Sequence, residues 1–247
     1  LGSGAMHGWA HIGVMRGCAR AGLQPDLIVG SSAGAVVGAL WAAGLDDKAV
    51  ANLARGIDWG SAGPWALSAR GLRRITALRD AVAQALDRRT IEALPRRFAA
   101  VATDAATGDA VVLDRGDAAW AVAASSAVPV WFEPVRLDGR DLLDGSLTAP
   151  VPVDAARTLG ADVVLAVDVA YRPYEAKAQG LVDLAFQSLH ILGNALAREQ
   201  TRRAEFTVRL DLHHLMMHGQ DPTGMVDAGE RALLDLLPAL RERLGRR

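Results

Sequence analysis

The chain has 247 residues, of which 51% are hydrophobic, and its 27 basic side chains nearly balance 28 acidic ones. This balance excludes a nucleic-acid partner held mainly by phosphate neutralisation, because such binding needs a basic surface. The apolar share excludes a disordered chain. A single cysteine, Cys18, excludes an internal disulfide and a cysteine-rich zinc framework, and it favours a reducing compartment.

Helical and extended patterns alternate along the whole chain. In chain order they predict a helix over 9–21, a strand over 26–29, helices over 33–43, 46–55 and 73–86, and strands over 98–103 and 110–113. A helix over 117–124 precedes two strands, 135–137 and 141–143, around the hairpin pair Asp138-Gly139. The remaining elements are a helix over 155–159, a strand over 163–169, a helix over 181–203, a strand over 206–210 and a helix over 226–244. This alternation is typical of a three-layer α/β/α fold with a mainly parallel central sheet. Without an internal repeat or linker, we expect one domain over 1–247.

An uncharged run of 19 residues, 27–45, has about the length that spans a bilayer. It contains several glycines and serines and changes from β-branched residues to an Ala/Val/Leu helical pattern, which favours a buried strand followed by a buried helix. The first residues also lack the basic start and cleavage site of a signal peptide. We therefore expect no transmembrane segment and a cytoplasmic location. Since the chain begins at Leu1 rather than Met, we also expect a short preceding stretch to be missing.

The segment Gly30-Ser31-Ser32-Ala33-Gly34 follows a predicted strand and opens a predicted helix. This is the setting of a G-x-S-x-G nucleophile elbow, in which small flanking residues allow a sharp turn and the helix N-terminus stabilises negative charge. An ordinary small-residue turn between a strand and a helix is the alternative. In a typical α/β-hydrolase the elbow follows several strands, whereas Ser32 lies within the first elements of this chain.

The glycine-rich loop at residues 2–8 opens the first helix with amides that can point at one anion. A dinucleotide site would use such a loop for pyrophosphate and an acidic residue about 20 positions later for the ribose. Asp26 has that spacing, but it lies at the start of its strand, whereas the acidic residue of a dinucleotide site would lie at the end of its strand. The other use is an oxyanion hole beside Ser32, and the presence of both loop and elbow favours it.

An activated serine needs a proton acceptor. Four histidines follow Ser32 in the order that a Ser, Asp, His triad requires, although no spacing ties any of them to the elbow, and an ordinary loop or surface histidine explains each. They are His190, His213, His214 and His218. Asp144 is the better candidate, because it ends an apolar strand, where a carboxylate is costly unless it is used or paired, and Gly145 follows it. An aspartate in an ordinary turn remains the alternative.

Together these residues resemble the patatin-like phospholipase family, and most of all its small single-domain bacterial members. Its three motifs occur in order, as the glycine loop leading into 8–14, the elbow within 26–44 and the acidic motif within 142–153. Shorter similar segments lie at 102–104, 107–108, 124–129 and 159–162. The resemblance thus covers most of residues 1–169 and predicts a patatin-like fold.

The resemblance implies a Ser-Asp dyad without histidine, in which Ser32 is the nucleophile and Asp144 is the proton acceptor. Loop amides around Gly4, Ala5 and Met6 would form the oxyanion hole. It further implies hydrolysis of a lipid or fatty-acyl ester through an acyl-enzyme, as in a phospholipase A, a lysophospholipase or a carboxylesterase, with neither metal nor cofactor. We expect transient contact with the inner face of the membrane.

Three residues depart from the family pattern. His7 stands where the loop usually has Arg or Lys, so the charge near the oxyanion would depend on pH. Ala5 replaces a common glycine, and Ser146 replaces the usual Gly or Ala after Gly145. His7 motivates one alternative, a catalytically weak regulatory or lipid-binding protein, and the late histidines motivate another, a Ser-His-Asp hydrolase.

A loop over 56–71 carries Trp59 and Trp65 among small residues. These tryptophans are candidates for a rim that contacts lipid or substrate. Two core tryptophans beneath a loop are the alternative.

Overall fold

The computed structural model describes residues 1–56, 75–169, 180–212 and 222–245. Its helices are α1 (Trp9–Ala21), α2 (Ala33–Ala42), α3 (Asp47–Gly56), α4 (Thr76–Ala85), α5 (Ala118–Ser125), α6 (Val153–Thr158), α7 (Leu181–Thr201) and α8 (Pro222–Gly245). Its strands are β1 (Leu27–Ser31), β2 (Arg97–Asp104), β3 (Ala110–Leu113), β4 (Val135–Leu137), β5 (Arg140–Leu143), β6 (Leu165–Asp168) and β7 (Phe206–Arg209). Each predicted element has a counterpart here. The predicted and observed bounds differ most at α8, which begins at Pro222 rather than at the predicted Val226, because proline suits the first turn of a helix.

Strands β1 to β5 form a mixed sheet rather than the mainly parallel one expected, and β6 and β7 form a separate two-stranded sheet. The pairs β1–β2 and β6–β7 are parallel, whereas β2–β3, β2–β5 and β4–β5 are antiparallel. The loops from β2 to β3 and from β4 to β5 are short, and a parallel pair would need a crossover of a dozen or more residues. The α/β fold class is confirmed, and the correction concerns strand direction and the separate pairing of β6 with β7.

Strand β2 lies at the centre of the sheet, and β1 and β5 both pair with the same edge of it. Ser31 at the end of β1 lies opposite Val101, and Leu143 at the end of β5 lies opposite Thr103. β3 pairs with a stretch of β2 that overlaps both, so β3 occupies the other edge. Since β1 runs parallel and β5 antiparallel to β2, their carboxyl ends face each other along that edge.

The two faces of the sheet are covered by different helices. In β2, Phe98 and Ala100 belong to a large core that also contains residues of α1, α2, α4 and α5. Their neighbours Ala99 and Val101 belong to a second core, shared with α6 and with Ala197 of α7. This alternation follows from the period of two in a strand, and it gives the expected layers of helices on both sides of the sheet.

The C-terminal helix α8 packs on the first helix, α1. A side chain at Gly13 would collide with the carbonyl oxygen of Val226, so the two backbones approach closely here. Arg16 of α1 also forms an ion pair with Asp227 of α8 at 2.6 Å. The two ends of the chain therefore share one packing interface.

The uncharged run 27–45 divides between β1, a turn and α2, as expected for a buried strand followed by a buried helix. None of the helices in the described ranges combines the length and the hydropathy needed to cross a membrane.

Candidate active site

Ser32 occupies a strained turn between β1 and α2. Its φ of 52° and ψ of −121° are unusual for a residue other than glycine, and strain of this kind clusters at functional sites. The flanking glycines are required by close packing, since a side chain at Gly30 would collide with the Gly34 carbonyl and one at Gly34 with the Leu1 carbonyl. Local backbone geometry is therefore that of a nucleophile elbow.

The hydroxyl of Ser32 donates a hydrogen bond to Asp144 Oδ2 at 2.8 Å. Asp144 directly follows β5, and Ser32 directly follows β1. Because these strands meet end to end on β2, the two side chains converge although 112 positions separate them in sequence. The sheet thus brings together the serine and the aspartate that the sequence singled out.

Asp144 is completely buried, and burial raises the pKa of its carboxyl group above the ordinary value. Hydrogen bonds oppose this effect, because the Ser146 amide donates to Oδ1 at 2.8 Å and the Ser32 hydroxyl donates to Oδ2. Gly145 permits the tight turn, since a side chain there would collide with the Val101 carbonyl. The carboxylate is therefore held by one oxygen while the other faces the serine, and its desolvation strengthens it as a base.

Ser125, at the end of α5, connects the turn at Ser32 to strand β2 through hydrogen bonds of its hydroxyl. The backbone amide of Ser32 donates to Ser125 Oγ at 3.0 Å, and that hydroxyl donates to the Val101 carbonyl at 2.6 Å. Sequence reasoning placed Ser125 in a segment similar to the family but gave it no role. The signal available in the sequence was a serine at the end of an alanine-rich helical pattern, and the structure shows this serine to be fully buried.

The glycine loop lies against the start of α2. A side chain at Gly8 would come within 3.0 Å of the Ala33 Cβ, directly after Ser32. A short 3-10 turn, Ala5–Gly8, begins with Ala5 at a φ of 46°. Among hydrogen bonds between residues that the structure describes, none uses the amides of Gly4, Ala5 or Met6. These three N–H groups therefore have no acceptor among the described residues.

Two histidines hold the glycine loop. His11 is completely buried, and its Nε2 lies 2.8 Å from the Gly2 carbonyl oxygen. Burial lowers the pKa of His11 to about 3, so the imidazole is neutral and donates from Nε2. The buried His7 places Nδ1 3.1 Å from the Gly4 carbonyl oxygen. Sequence reasoning assigned no role to His11, whose signal was a histidine within the apolar pattern of α1.

The late histidines are not found at the elbow in the described part of the chain. His190 is exposed on α7, and His213, His214 and His218 lie outside the described residues. The proposed rim residues Trp59 and Trp65 also lie outside them. Across the described ranges, no group of three histidine, cysteine, aspartate or glutamate side chains is arranged to hold a metal ion.

A small apolar cleft of about 30 Å³ adjoins the elbow. Its lining comes from the glycine loop and from three helices, α1, α2 and α3. The lining residues are Ala5, Met6, Gly8, Trp9, Ile12, Ala33, Val36, Val37, Leu40, Val50 and Ala54. The cleft therefore lies between the glycine loop and Ala33, which directly follows Ser32.

Comparisons with known proteins point to one family. A family model described as patatin-like phospholipase matches residues 1–157. An uncharacterized NTE family protein of Mycobacterium tuberculosis is 38% identical over 173 residues, which are 68% of this chain and 48% of the relative. A patatin-like phospholipase domain-containing protein of Caenorhabditis elegans is 31% identical over 182 residues, covering 68% of this chain and 13% of that protein.

A solved structure supports the fold alone. The crystal structure of VipD from Legionella pneumophila is similar with a TM-score of 0.53 and 16% identity, covering 96% of this chain and 66% of that one. The chain spans about half the length of the mycobacterial relative.

Proposed function

Because the chain belongs to the patatin-like phospholipase family, we propose that it hydrolyses lipid or fatty-acyl esters with Ser32 as nucleophile and Asp144 as proton acceptor. The 2.8 Å hydrogen bond from the Ser32 hydroxyl to the buried Asp144 carboxylate carries this proposal. A strained elbow holds the serine, and unpaired amides lie close by, so each part of a covalent acyl transfer has a candidate group.

In the first half-reaction, Asp144 Oδ2 takes the proton of Ser32 Oγ as that oxygen attacks the ester carbonyl carbon. The carbonyl oxygen becomes an oxyanion, which the amides of Gly4, Ala5 and Met6 and the N-terminus of α2 stabilise. Collapse of this tetrahedral species breaks the ester C–O bond. The departing alcohol receives the proton from Asp144, and the acyl group stays on Ser32.

In the second half-reaction, water enters beside the acyl-enzyme. Asp144 accepts a proton from this water, and the resulting hydroxide attacks the acyl carbonyl carbon. The bond to Ser32 Oγ breaks, the serine regains a proton from Asp144, and a carboxylic acid leaves. The same carboxylate thus serves both steps, and no histidine is needed.

We also propose that residues 1–247 form one patatin-like domain. The family match ends at residue 157, but α8 packs directly on α1 through Gly13 and Val226. β7 likewise extends β6 in parallel. The C-terminal third therefore completes the packing of the matched part.

The test is hydrolysis of p-nitrophenyl esters and of lysophospholipid by wild type and Ser32→Ala, with labelling by a fluorophosphonate located by mass spectrometry. We expect labelling at Ser32 and a loss of kcat on the order of 10⁴-fold or more in Ser32→Ala. Ser188→Ala, on the exposed face of α7, is the matched control and keeps wild-type activity.

Full activity in Ser32→Ala would refute the proposal. Loss confined to a variant of His190, His213, His214 or His218 would support a Ser-His-Asp hydrolase instead. A wild type that is inert on every ester would favour the lipid-binding alternative.

A further inference from the structure

The backbone of Asp144 is held on both of its polar groups. Its amide donates a hydrogen bond to the Ala127 carbonyl at 2.9 Å, and its carbonyl accepts one from the Thr103 hydroxyl at 2.9 Å. Strand β5 ends at Leu143, whose pairing partner on β2 is the same Thr103. The Thr103 side chain thus continues the link between β5 and β2 for one residue beyond the last pair of the ladder.

A second hydroxyl orients that of Thr103. Thr148 Oγ1 lies 2.9 Å from Thr103 Oγ1. A hydroxyl carries a single hydrogen, and that of Thr103 goes to the Asp144 carbonyl, so Thr148 is the donor in this pair. Donation to the Thr103 oxygen polarises its O–H group and strengthens the bond to Asp144.

The other end of this chain of hydrogen bonds lies on α7. Gln200 Nε2 donates to the Thr148 carbonyl at 2.9 Å, and Gln200 Oε1 accepts from the Val151 amide at 3.0 Å. Both Gln200 and Thr103 are buried. A buried network with its partners in place keeps one geometry, because a rearrangement leaves a polar group unpaired. It links Asp144 to a helix beyond the part of the chain that the family model matches.

The direction of the Asp144 carboxylate follows from its backbone. Oδ1 accepts from the Ser146 amide and Oδ2 from the Ser32 hydroxyl, each at 2.8 Å, so a shift of the backbone would lengthen both bonds. These two bonds, rather than a neighbouring charge, lower the pKa that burial raises. Loss of the Thr103 hydroxyl should therefore raise the pKa of Asp144 further.

We propose that Thr103 is a positioning residue for the reaction at Ser32, and that its hydroxyl, oriented by Thr148, holds the Asp144 backbone so that the carboxylate faces the serine. Its effect on catalysis rests on the proposed function, whereas its effect on the carboxylate does not. Because Thr103 acts through Asp144, we expect kcat to depend on this hydroxyl and KM to be independent of it.

Hydrolysis of p-nitrophenyl butyrate by Thr103→Val and Thr103→Ser tests this role. Valine has nearly the shape of threonine but donates no hydrogen bond, whereas serine keeps the donor. We expect kcat to fall roughly 10-fold in Thr103→Val at constant KM, because small displacements of a reacting group are costly, and to stay within about twofold of wild type in Thr103→Ser. Thr207→Val is the matched control, since the Thr207 hydroxyl donates to the Thr201 carbonyl from the separate sheet of β6 and β7.

A carboxyl ¹³C NMR titration measures the surroundings of Asp144 without any substrate, and Asp144→Asn assigns its resonance by difference. We expect a pKa above that of wild type in Thr103→Val and the wild-type pKa in Thr103→Ser and in the Thr207→Val control. A merely structural role would make Thr103→Val less stable but leave the pKa of Asp144 unchanged, and that result would overturn the proposal. Equal losses of kcat in Thr103→Val and Thr103→Ser would overturn it as well.

Thr148→Val keeps the proposal testable if Thr103→Val does not fold. This variant leaves the bond from Thr103 to Asp144 in place but removes the donor that orients it, so the pKa of Asp144 should rise less than in Thr103→Val. An unchanged pKa in Thr148→Val would then refute the proposal.

The same measurements separate this inference from the proposed function. If no ester is hydrolysed but the pKa of Asp144 changes as expected, the proposed function fails and the positioning of Asp144 by Thr103 stands. If Ser32→Ala is inactive while the pKa of Asp144 is the same in wild type and Thr103→Val, the proposed function stands and the positioning role fails.

Discussion

Two neighbouring parts of the candidate site are held in place by different means. Ser32 and Asp144 follow the facing ends of β1 and β5, so backbone pairing with β2 sets their separation. The glycine loop is anchored at its start by backbone hydrogen bonds from the Gly2 and Ser3 amides to the carbonyls of Val167 and Pro150. Beyond Ser3 it relies on side chains, since His7 contacts the Gly4 carbonyl, and His11 binds the Gly2 carbonyl. The serine and aspartate should therefore keep their positions through most side-chain changes, whereas the part of the loop that carries the amides of Gly4, Ala5 and Met6 should be more sensitive to the two imidazoles.

The largest effect should come from Asp144→Asn, which we expect to lower kcat on the order of 10⁴-fold because the amide cannot accept the serine proton. The folded protein should be no less stable. Burial raises the folded-state pKa of Asp144, so any stability that the group contributes is present at low pH and is lost as the pH rises through that pKa. At pH 7 the buried carboxylate therefore opposes folding, and asparagine removes this penalty.

Ester hydrolysis and urea unfolding at pH 7 measure these two effects. Asp141→Asn, on the exposed part of β5, is the matched control. If Asp144→Asn unfolds, the carboxylate itself is needed to keep the ends of β1 and β5 together, and backbone pairing with β2 is not sufficient.

The next largest effect should come from His11→Leu. Without the Nε2 donor the Gly2 carbonyl is unpaired and the glycine loop shifts, so we expect a loss of about 10²-fold to 10³-fold in kcat, as for a missing oxyanion donor. The fold should lose about 1–3 kcal/mol from the unpaired buried carbonyl. Kinetics and urea unfolding check both figures, and His190→Ala on exposed α7 is the control. Unchanged kcat in a folded His11→Leu would mean that the loop does not depend on this imidazole.

A smaller effect is expected at Ser125. In Ser125→Ala, the Ser32 amide and the Val101 carbonyl lose their shared hydroxyl, which costs about 1–3 kcal/mol in the free energy of unfolding. Because strand pairing still positions the elbow, kcat should fall by no more than roughly 10-fold, the equivalent of about 1.4 kcal/mol. The neighbouring Ser126 is a close control, since its buried hydroxyl has no hydrogen-bond partner among the described residues. A loss in Ser125→Ala as large as that in Asp144→Asn would show that a side chain, not the sheet, holds the nucleophile.

The smallest effect is a dependence of stability on pH through His11. Its pKa is about 3 in the folded protein and about 6.5 when unfolded, so the unfolded state binds the extra proton between these values. Stability should therefore fall as the pH drops below 6.5, by roughly 1 kcal/mol at pH 5.5. Urea unfolding from pH 7.5 to 5.5 measures this fall in the free energy of unfolding. Because His11→Leu lacks the titrating imidazole, its free energy of unfolding should fall by roughly 1 kcal/mol less over the same pH range. Parallel curves for the two proteins would contradict a neutral, buried His11.

Local features of the fold could be predicted well because they depend on neighbouring residues. The hairpin of β4 and β5 was evident from Asp138-Gly139, and the elbow from five consecutive small residues between a strand and a helix. Both α1 and β3 begin and end at the predicted residues. Short-range backbone sterics and hydrophobic periods suffice for such features.

Other features depend on which strands become neighbours. The antiparallel pairing of β5 with β2 and the support of Ser32 by Ser125 join residues far apart in the chain. Hydrophobic periodicity indicates which face of an element is buried, but not which edge it shares. The direction of β5 and the roles of Ser125 and His11 were missed for this reason.

The sequence by itself determined the kinds of group available, namely a serine on a sharp turn, an aspartate after an apolar strand and a loop rich in amides. Their roles in catalysis remain proposals. Only the tertiary structure decided that Ser32 Oγ lies 2.8 Å from Asp144 Oδ2, because that distance depends on β1 and β5 pairing with the same edge of β2. It also decided that an apolar cleft opens beside them, since helices α1, α2 and α3 form its walls only when packed together.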